Sequence, residues 1–147
     1  FLSRPITDEH YWSHNLQTSL MNTWLGLAYE RVCMAHIPQV KRALGIDRIA
    51  AEYYSWRSKE SADGAQIDLL IERADRVINL CEVKYSAGRY SLSKEEEMKL
   101  RIRMGDFVEE TGSKHAIFPT LITTFGLKPN LHSGIVQSEV VLDDLFV

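Results

Sequence analysis

Three side chains set the chemistry this sequence can support: Asp68, Glu82 and Lys84. Asp68 interrupts the run Gly64-Ala65-Gln66-Ile67-Asp68-Leu69-Leu70-Ile71, and Glu82 and Lys84 close the run Asn79-Leu80-Cys81-Glu82-Val83-Lys84. A carboxylate enters an otherwise apolar strand when it is paired or binds a metal. Strand side chains alternate, so Glu82 and Lys84 share one face and Val83 takes the other. Only a short polar break, Arg73-Ala74-Asp75-Arg76, separates the two β-favouring runs, which reads as a hairpin. Setting Asp68 directly against Glu82 requires an odd-length turn or a bulge. A two-residue turn at Ala74-Asp75 would set Asp68 against Cys81 instead.

With the first register, two carboxylates and an ammonium converge. The carboxylates repel, and a hard divalent cation relieves that repulsion. Oxygen ligands favour Mg²⁺ or Mn²⁺ over zinc. Lys84 beside them could orient or deprotonate a water, or stabilise charge on a phosphate. Glu30 joins this group: its helical neighbours Gly26, Leu27, Cys33 and Met34 are apolar, which turns it inward. The plainer alternatives are a structural ion pair at Lys84 and an exposed Glu30 paired with an arginine. Gln66, Lys94, Lys99, Arg101 and Arg103 are candidate DNA contacts. Against that stand a structural amide for Gln66 and a solvated helix face for the cations. Tyr85 and Tyr90 also follow the motif, and read first as packing residues. The histidines at 10, 14, 36, 115 and 132 show no metal-binding spacing.

The elements that must hold these groups follow from periodicity. Residues 1–19 read as an arm or linker, and 20–147 as one α/β domain. Leu20 to Ile37 has helical spacing, with Trp24, Leu27, Met34 and Ile37 as its apolar stripe and Pro38 beyond. A short helical stretch, Gln39 to Leu44, stops at Gly45. Ile49 to Trp56 reads as a strand, and Asp63-Gly64 as a turn. Ser93 caps a helix running to Thr111, with Glu95 and Glu96 at its positive end, Leu100, Met104, Phe107 and Val108 as its apolar positions, and Gly112 as its stop. Ala116 to Phe125 is a buried strand and Ile135 to Leu142 a further one. The expected order is α-β-β-β-α-β with a small β tail.

The 147 residues suit one domain, and 45% hydrophobic with 25% charged residues is ordinary for a globular chain. No apolar run is long enough to span a bilayer, and no signal peptide is visible. Cys33 and Cys81 form no CxxC motif and sit among apolar residues, which suits reduced thiols in the cytoplasm. A net charge of -3 is unlike that of proteins that coat DNA, so any DNA contact is local. A glycosidase reading of the carboxylates leaves Lys84 without a role. The abrupt start suggests a fragment of a longer protein.

Asp in one strand followed by Glu-x-Lys in the next resembles the signature of the PD-(D/E)XK nuclease superfamily, with Glu30 matching the acidic residue that many members carry on an upstream helix. Ile67 stands where that signature usually has Pro. A closer resemblance covers most of the chain. Trp24 to Glu30, Gly64 to Ile71, Cys81 to Ser86, Leu121 to Leu127 and Leu142 to Phe146 look like the C-terminal domain of certain prokaryotic ATPases, in which an AAA+-type module comes first. The resemblance implies a restriction-endonuclease-like core with a mixed central sheet between helices. It implies Mg²⁺ or Mn²⁺ on Asp68, Glu82 and Glu30, with the Val83 carbonyl as a further ligand and Lys84 positioning water. It implies DNA and the ATPase module as partners, and a homodimer by analogy with resolvases of this fold. It equally allows an inactive DNA- or protein-binding regulatory module. No GxxxxGK[ST] occurs, so this stretch has no ATP site of that kind.

Overall fold

The computed structural model describes residues 4–60 and 65–146, with side chains from Thr18 onward. The Asp63-Gly64 turn lies outside the described residues. Helix α1 (Arg4–Ala35) is followed at once by α2 (Ile37–Ala43). Three strands come next: β1 (Ala51–Arg57), β2 (Gln66–Arg73) and β3 (Val77–Lys84). Helix α3 (Lys94–Thr111) then leads to β4 (Ala116–Thr123) and β5 (Ser138–Val141), the latter between two short 3-10 turns. The five strands lie in the order β1-β2-β3-β4-β5. β1, β2 and β3 form an antiparallel meander, and β4 and β5 run parallel to β3. This is an α/β fold on a mixed five-stranded sheet.

Both faces of the sheet are covered, which explains the near-continuous apolar runs of β2 and β3. On one side Tyr29, Cys33, Ile37 and Val40 of α1 and α2 pack on Leu69, Ile71, Cys81, Ile122 and Val140. On the other, Leu100 and Phe107 of α3 pack on Ile67, Leu70, Ile78 and Leu80. Cys33 and Cys81 are both buried as free thiols in the first of these layers.

The β2–β3 pairing matches Leu69 with Cys81 and Ile71 with Asn79. Continued by one step, that register sets Asp68 against Glu82. The three-residue turn Ala74-Asp75-Arg76 supplies the odd length this needs, with Arg76 in the left-handed region at φ 66°. On the other side of β2, Tyr54 pairs with Leu70 but Trp56 with Ile67, so Asp68 and Leu69 together face Ser55. This bulge has a visible effect. Ile67 and Leu70 both join the α3 layer while Leu69 joins the α1 layer, which simple alternation forbids.

Several boundaries and faces differ from the sequence reading. The first helix starts at Arg4, so it takes in most of the stretch read as an arm, and it ends at Ala35. Pro38 lies in the first turn of α2, where its missing N–H costs nothing. The stripe assigned to Trp24 and Leu27 is not the packing face: they are 63% and 57% exposed, beside exposed Leu20 and Met21. Met34 and Ile37 of that stripe do reach the core, beside buried Tyr29 and Cys33, because the sheet meets only the C-terminal part of the helix. Val108 is likewise on the open side of α3. The strand expected from Ile135 shortens to four residues, Ser138–Val141.

The Arg76 backbone carries a Cβ in a conformation that favours glycine. Arg76→Gly should therefore raise stability by up to about 1 kcal/mol. The check is a higher urea midpoint at unchanged m-value.

Candidate functional site

Every acidic or basic group expected at the site comes from an element with its own reason to be in place. Glu30 follows Tyr29, whose buried hydroxyl donates to the Thr123 carbonyl at the end of β4 at 2.6 Å. That bond, with Cys33 packed one turn on, fixes the rotation of α1 and half-buries Glu30 beside the sheet. Asp68 comes from the bulge of β2. Glu82 and Lys84 come from the last turns of the β3 zigzag, on the α3 side.

The carboxylates of Glu30 and Asp68 meet through a hydrogen bond, and Glu82 adds its field to theirs. Burial, then the repulsion of Asp68 and the hydrogen bond with it, then Glu82, push the Glu30 carboxyl above its ordinary range. Asp68 also accepts from the Gln66 amide at 2.9 Å, and Gln66 in turn accepts from Arg57 at 3.0 Å. Gln66 is thus a brace on Asp68.

Glu82 carries protein cations on both oxygens. Arg103 donates to Oε2 at 2.7 Å, and Lys84 Nζ lies 3.4 Å from Oε1. Lys84 is also 3.7 Å from Glu96. Glu96 does more than favour the helix dipole. Its side chain accepts from the Ser93 N–H while Ser93 Oγ accepts from the Glu96 N–H, a complete capping box. The Tyr90 hydroxyl donates to the same carboxylate. Burial works against the Glu96 charge, but the bonds from Tyr90 and Ser93 and the nearby Lys84 hold its carboxyl below the usual range. Tyr90 is anchored in turn: its N–H donates to the Gly126 carbonyl and its carbonyl accepts from Lys128 N–H. Lys84 is therefore held between two carboxylates, those of Glu82 and Glu96.

Among the proposed DNA contacts, Arg103 lies on Glu82. Lys99 lines a cleft of about 100 Å³ beside Glu82 and Lys84. Arg101 pairs with Glu97 on the same helix, and Lys94 is exposed at the first position of α3. Tyr85 packs against the α1-side core. The sequence reading missed the Glu82–Arg103 pair and the Tyr90–Glu96–Lys84 chain. The pattern Ser93-x-x-Glu96 could have revealed the second, since a capping box fixes where its glutamate lies.

Among the described residues, no group of three His, Cys, Asp or Glu side chains stands ready to hold a metal ion with the side chains as they lie. Glu82 is taken up by Arg103 and Lys84. The donors on hand are hard oxygens crowded enough to raise one carboxyl, the condition a small divalent cation relieves.

No protein-family model and no curated protein matches the sequence. In fold, the chain is similar to the crystal structure of a protein of unknown function, AF1548, with a TM-score of 0.51 at 19% sequence identity. The likeness covers 78% of this chain and 64% of that one, so the chain spans less than two thirds of that protein's length. At this identity the likeness speaks for the fold alone. Among the described residues, no helix is long and apolar enough to cross a membrane.

Because its folded pKa is raised, Glu30 binds its proton more tightly in the native state and costs stability when ionised. Glu30→Gln should raise Tm at pH 7 by up to about 2 °C, since Glu30 is partly open to solvent. The gain should shrink as pH falls through the raised Glu30 pKa and vanish below about pH 4. Thermal melts across pH 4–8 test this, and a gain independent of pH would refute it.

Proposed function

We infer that this chain is a nuclease-like domain of the PD-(D/E)XK type that hydrolyses DNA phosphodiesters with Mg²⁺ or Mn²⁺. The observation that carries the reading is the meeting of Glu30 and Asp68 from α1 and β2, with Glu82 of β3 near enough to act on the Glu30 charge and Lys84 paired to Glu82. Arg103 and Lys84 neutralise Glu82, but Glu30 and Asp68 still press on one another enough to raise the Glu30 carboxyl, and a cation would relieve that.

In this reading Asp68 and Glu82 hold the ion, with the Val83 carbonyl as a further ligand and Glu30 in the outer shell or at a second ion. The ion supplies polarisation of the scissile phosphate and a water acidic enough to attack near neutral pH. Lys84, placed between Glu82 and Glu96, is positioned to orient the attacking water or to meet a phosphate oxygen, where negative charge develops. Tyr90 and Ser93 act at one remove, by holding Glu96. An attached ATPase module would supply the rest of the DNA path, since the chain is acidic overall.

A second reading has its own observation. Leu20, Met21, Trp24 and Leu27 form an exposed apolar stripe on α1, a feature of surfaces that dock another polypeptide. It favours a non-catalytic module that binds a partner such as the ATPase and regulates it.

Calorimetric titration of Mn²⁺ into the intact chain separates the two. The nuclease reading expects binding that is lost in both Asp68→Ala and Glu82→Ala. It also expects DNA cleavage that falls about 10²–10⁴-fold in Lys84→Ala. Cleavage that survives Asp68→Ala defeats the assignment. Absence of Mn²⁺ binding, with partner capture abolished by Trp24→Asp, favours the regulatory module.

A further inference from the structure

Glu82 is a carboxylate the protein keeps occupied. Arg103 takes one of its oxygens at 2.7 Å and Lys84 approaches the other at 3.4 Å. The two cations are not equivalent. Lys84 has a second carboxylate in Glu96, which stays beside it whatever Glu82 does. Arg103 is paired, among the described residues, with Glu82 alone. An ion bound to Glu82 would therefore set Arg103 loose and leave Lys84 in place.

A released guanidinium has somewhere to go. Arg103 lines the cleft of about 100 Å³ between β3 and α3, whose charged lining is three cations, Lys84, Lys99 and Arg103, against two carboxylates, Glu82 and Glu96, so a cation on Glu82 leaves it net positive. The arginine side chain is partly open, at 29% exposure, so it can turn without unpacking the core. Its planar fork of donors matches the oxygens of a phosphate, and Lys99 adds a second positive charge.

We propose that Arg103 is a phosphate-binding side chain held in reserve on Glu82, freed when a divalent cation takes that carboxylate, and that it then binds, with Lys99, a phosphate of the DNA strand entering the cleft. This deepens the nuclease reading and rests on it. Ion and DNA binding are then coupled through one residue, and the coupling must act equally in both directions. Without DNA, Arg103 competes with the ion for Glu82. With ion bound, it strengthens the grip on DNA. Removing Arg103 therefore tightens the ion and weakens DNA only when the ion is present; a merely structural ion pair would not make the loss of DNA affinity depend on the ion.

The test uses the intact chain as wild type, Arg103→Met, Arg103→Gln and the charge-matched control Arg101→Met, each shown folded by circular dichroism. Mn²⁺ affinity is read by calorimetry. DNA affinity is read by anisotropy of a labelled duplex with and without Mn²⁺, with the duplex verified intact on a gel. Both Arg103 variants should bind Mn²⁺ about 3–10-fold tighter than wild type, with Arg101→Met within about twofold. Mn²⁺ should strengthen DNA binding by the wild type, and about tenfold of that affinity should be missing in the Arg103 variants. Equal or weaker Mn²⁺ binding by the Arg103 variants, or unchanged DNA affinity in Mn²⁺, overturns the proposal and leaves the metal reading standing. Failure of the wild type to bind Mn²⁺ removes the metal reading and this proposal together.

Discussion

The structure depends on a strand pair that is buried on both sides. Leu69, Leu70, Ile71, Ile78, Leu80 and Cys81 are all within 1% of complete burial. Each of the larger of these side chains contributes about 1.5–3 kcal/mol on leaving water. A slip by one residue would exchange the layers to which they belong. It would also carry Asn79 away from Arg73 of β2, whose guanidinium donates to the Asn79 side-chain carbonyl at 3.3 Å. The register of β2 on β3 is thus held by much more energy than the crowding of a few carboxylates costs, which for partly exposed groups is about 1 kcal/mol. A scaffold of that strength can hold charges together that would otherwise move apart.

The bulge at Asp68 and Leu69 is where the scaffold becomes a site. It costs the β1–β2 ladder its regularity, yet it lets three adjacent positions of β2 serve three ends. Ile67 enters the α3 layer, Leu69 enters the α1 layer, and Asp68 reaches Glu30. Bulges concentrate at such places because they re-aim one side chain without disturbing the strands beyond. The C-terminal end of β3 completes the arrangement through α3, whose first turn is fastened by the Ser93–Glu96 capping box and whose third presents Arg103.

Helix α1 divides along its length. Its C-terminal part packs on the sheet through Tyr29 and Cys33, while Leu20, Met21, Trp24 and Leu27 remain open to solvent. Burial of Tyr29 and its bond to Thr123 therefore decide where Glu30 stands. The exposed apolar residues ahead of it have no part in that decision.

The sequence by itself determined the elements and their order, because apolar period, caps and turn chemistry are local signals. The Ser93 cap, the Gly112 stop, the β2–β3 hairpin and the short β tail all follow from residues within a few positions of one another. It also singled out Glu30, Asp68, Glu82 and Lys84, since charge within apolar runs is visible without a structure. Tertiary structure decided the rest. The register rests on a turn whose third residue, Arg76, gives no glycine-like signal for its left-handed backbone. The packing face of α1 depends on where the sheet meets the helix, so Trp24 and Leu27 looked like core and are not. The nearer partner of Glu82 is a helix residue that becomes a neighbour only when α3 folds back across β3, and no local pattern connects Arg103 to a strand so far from it in the chain.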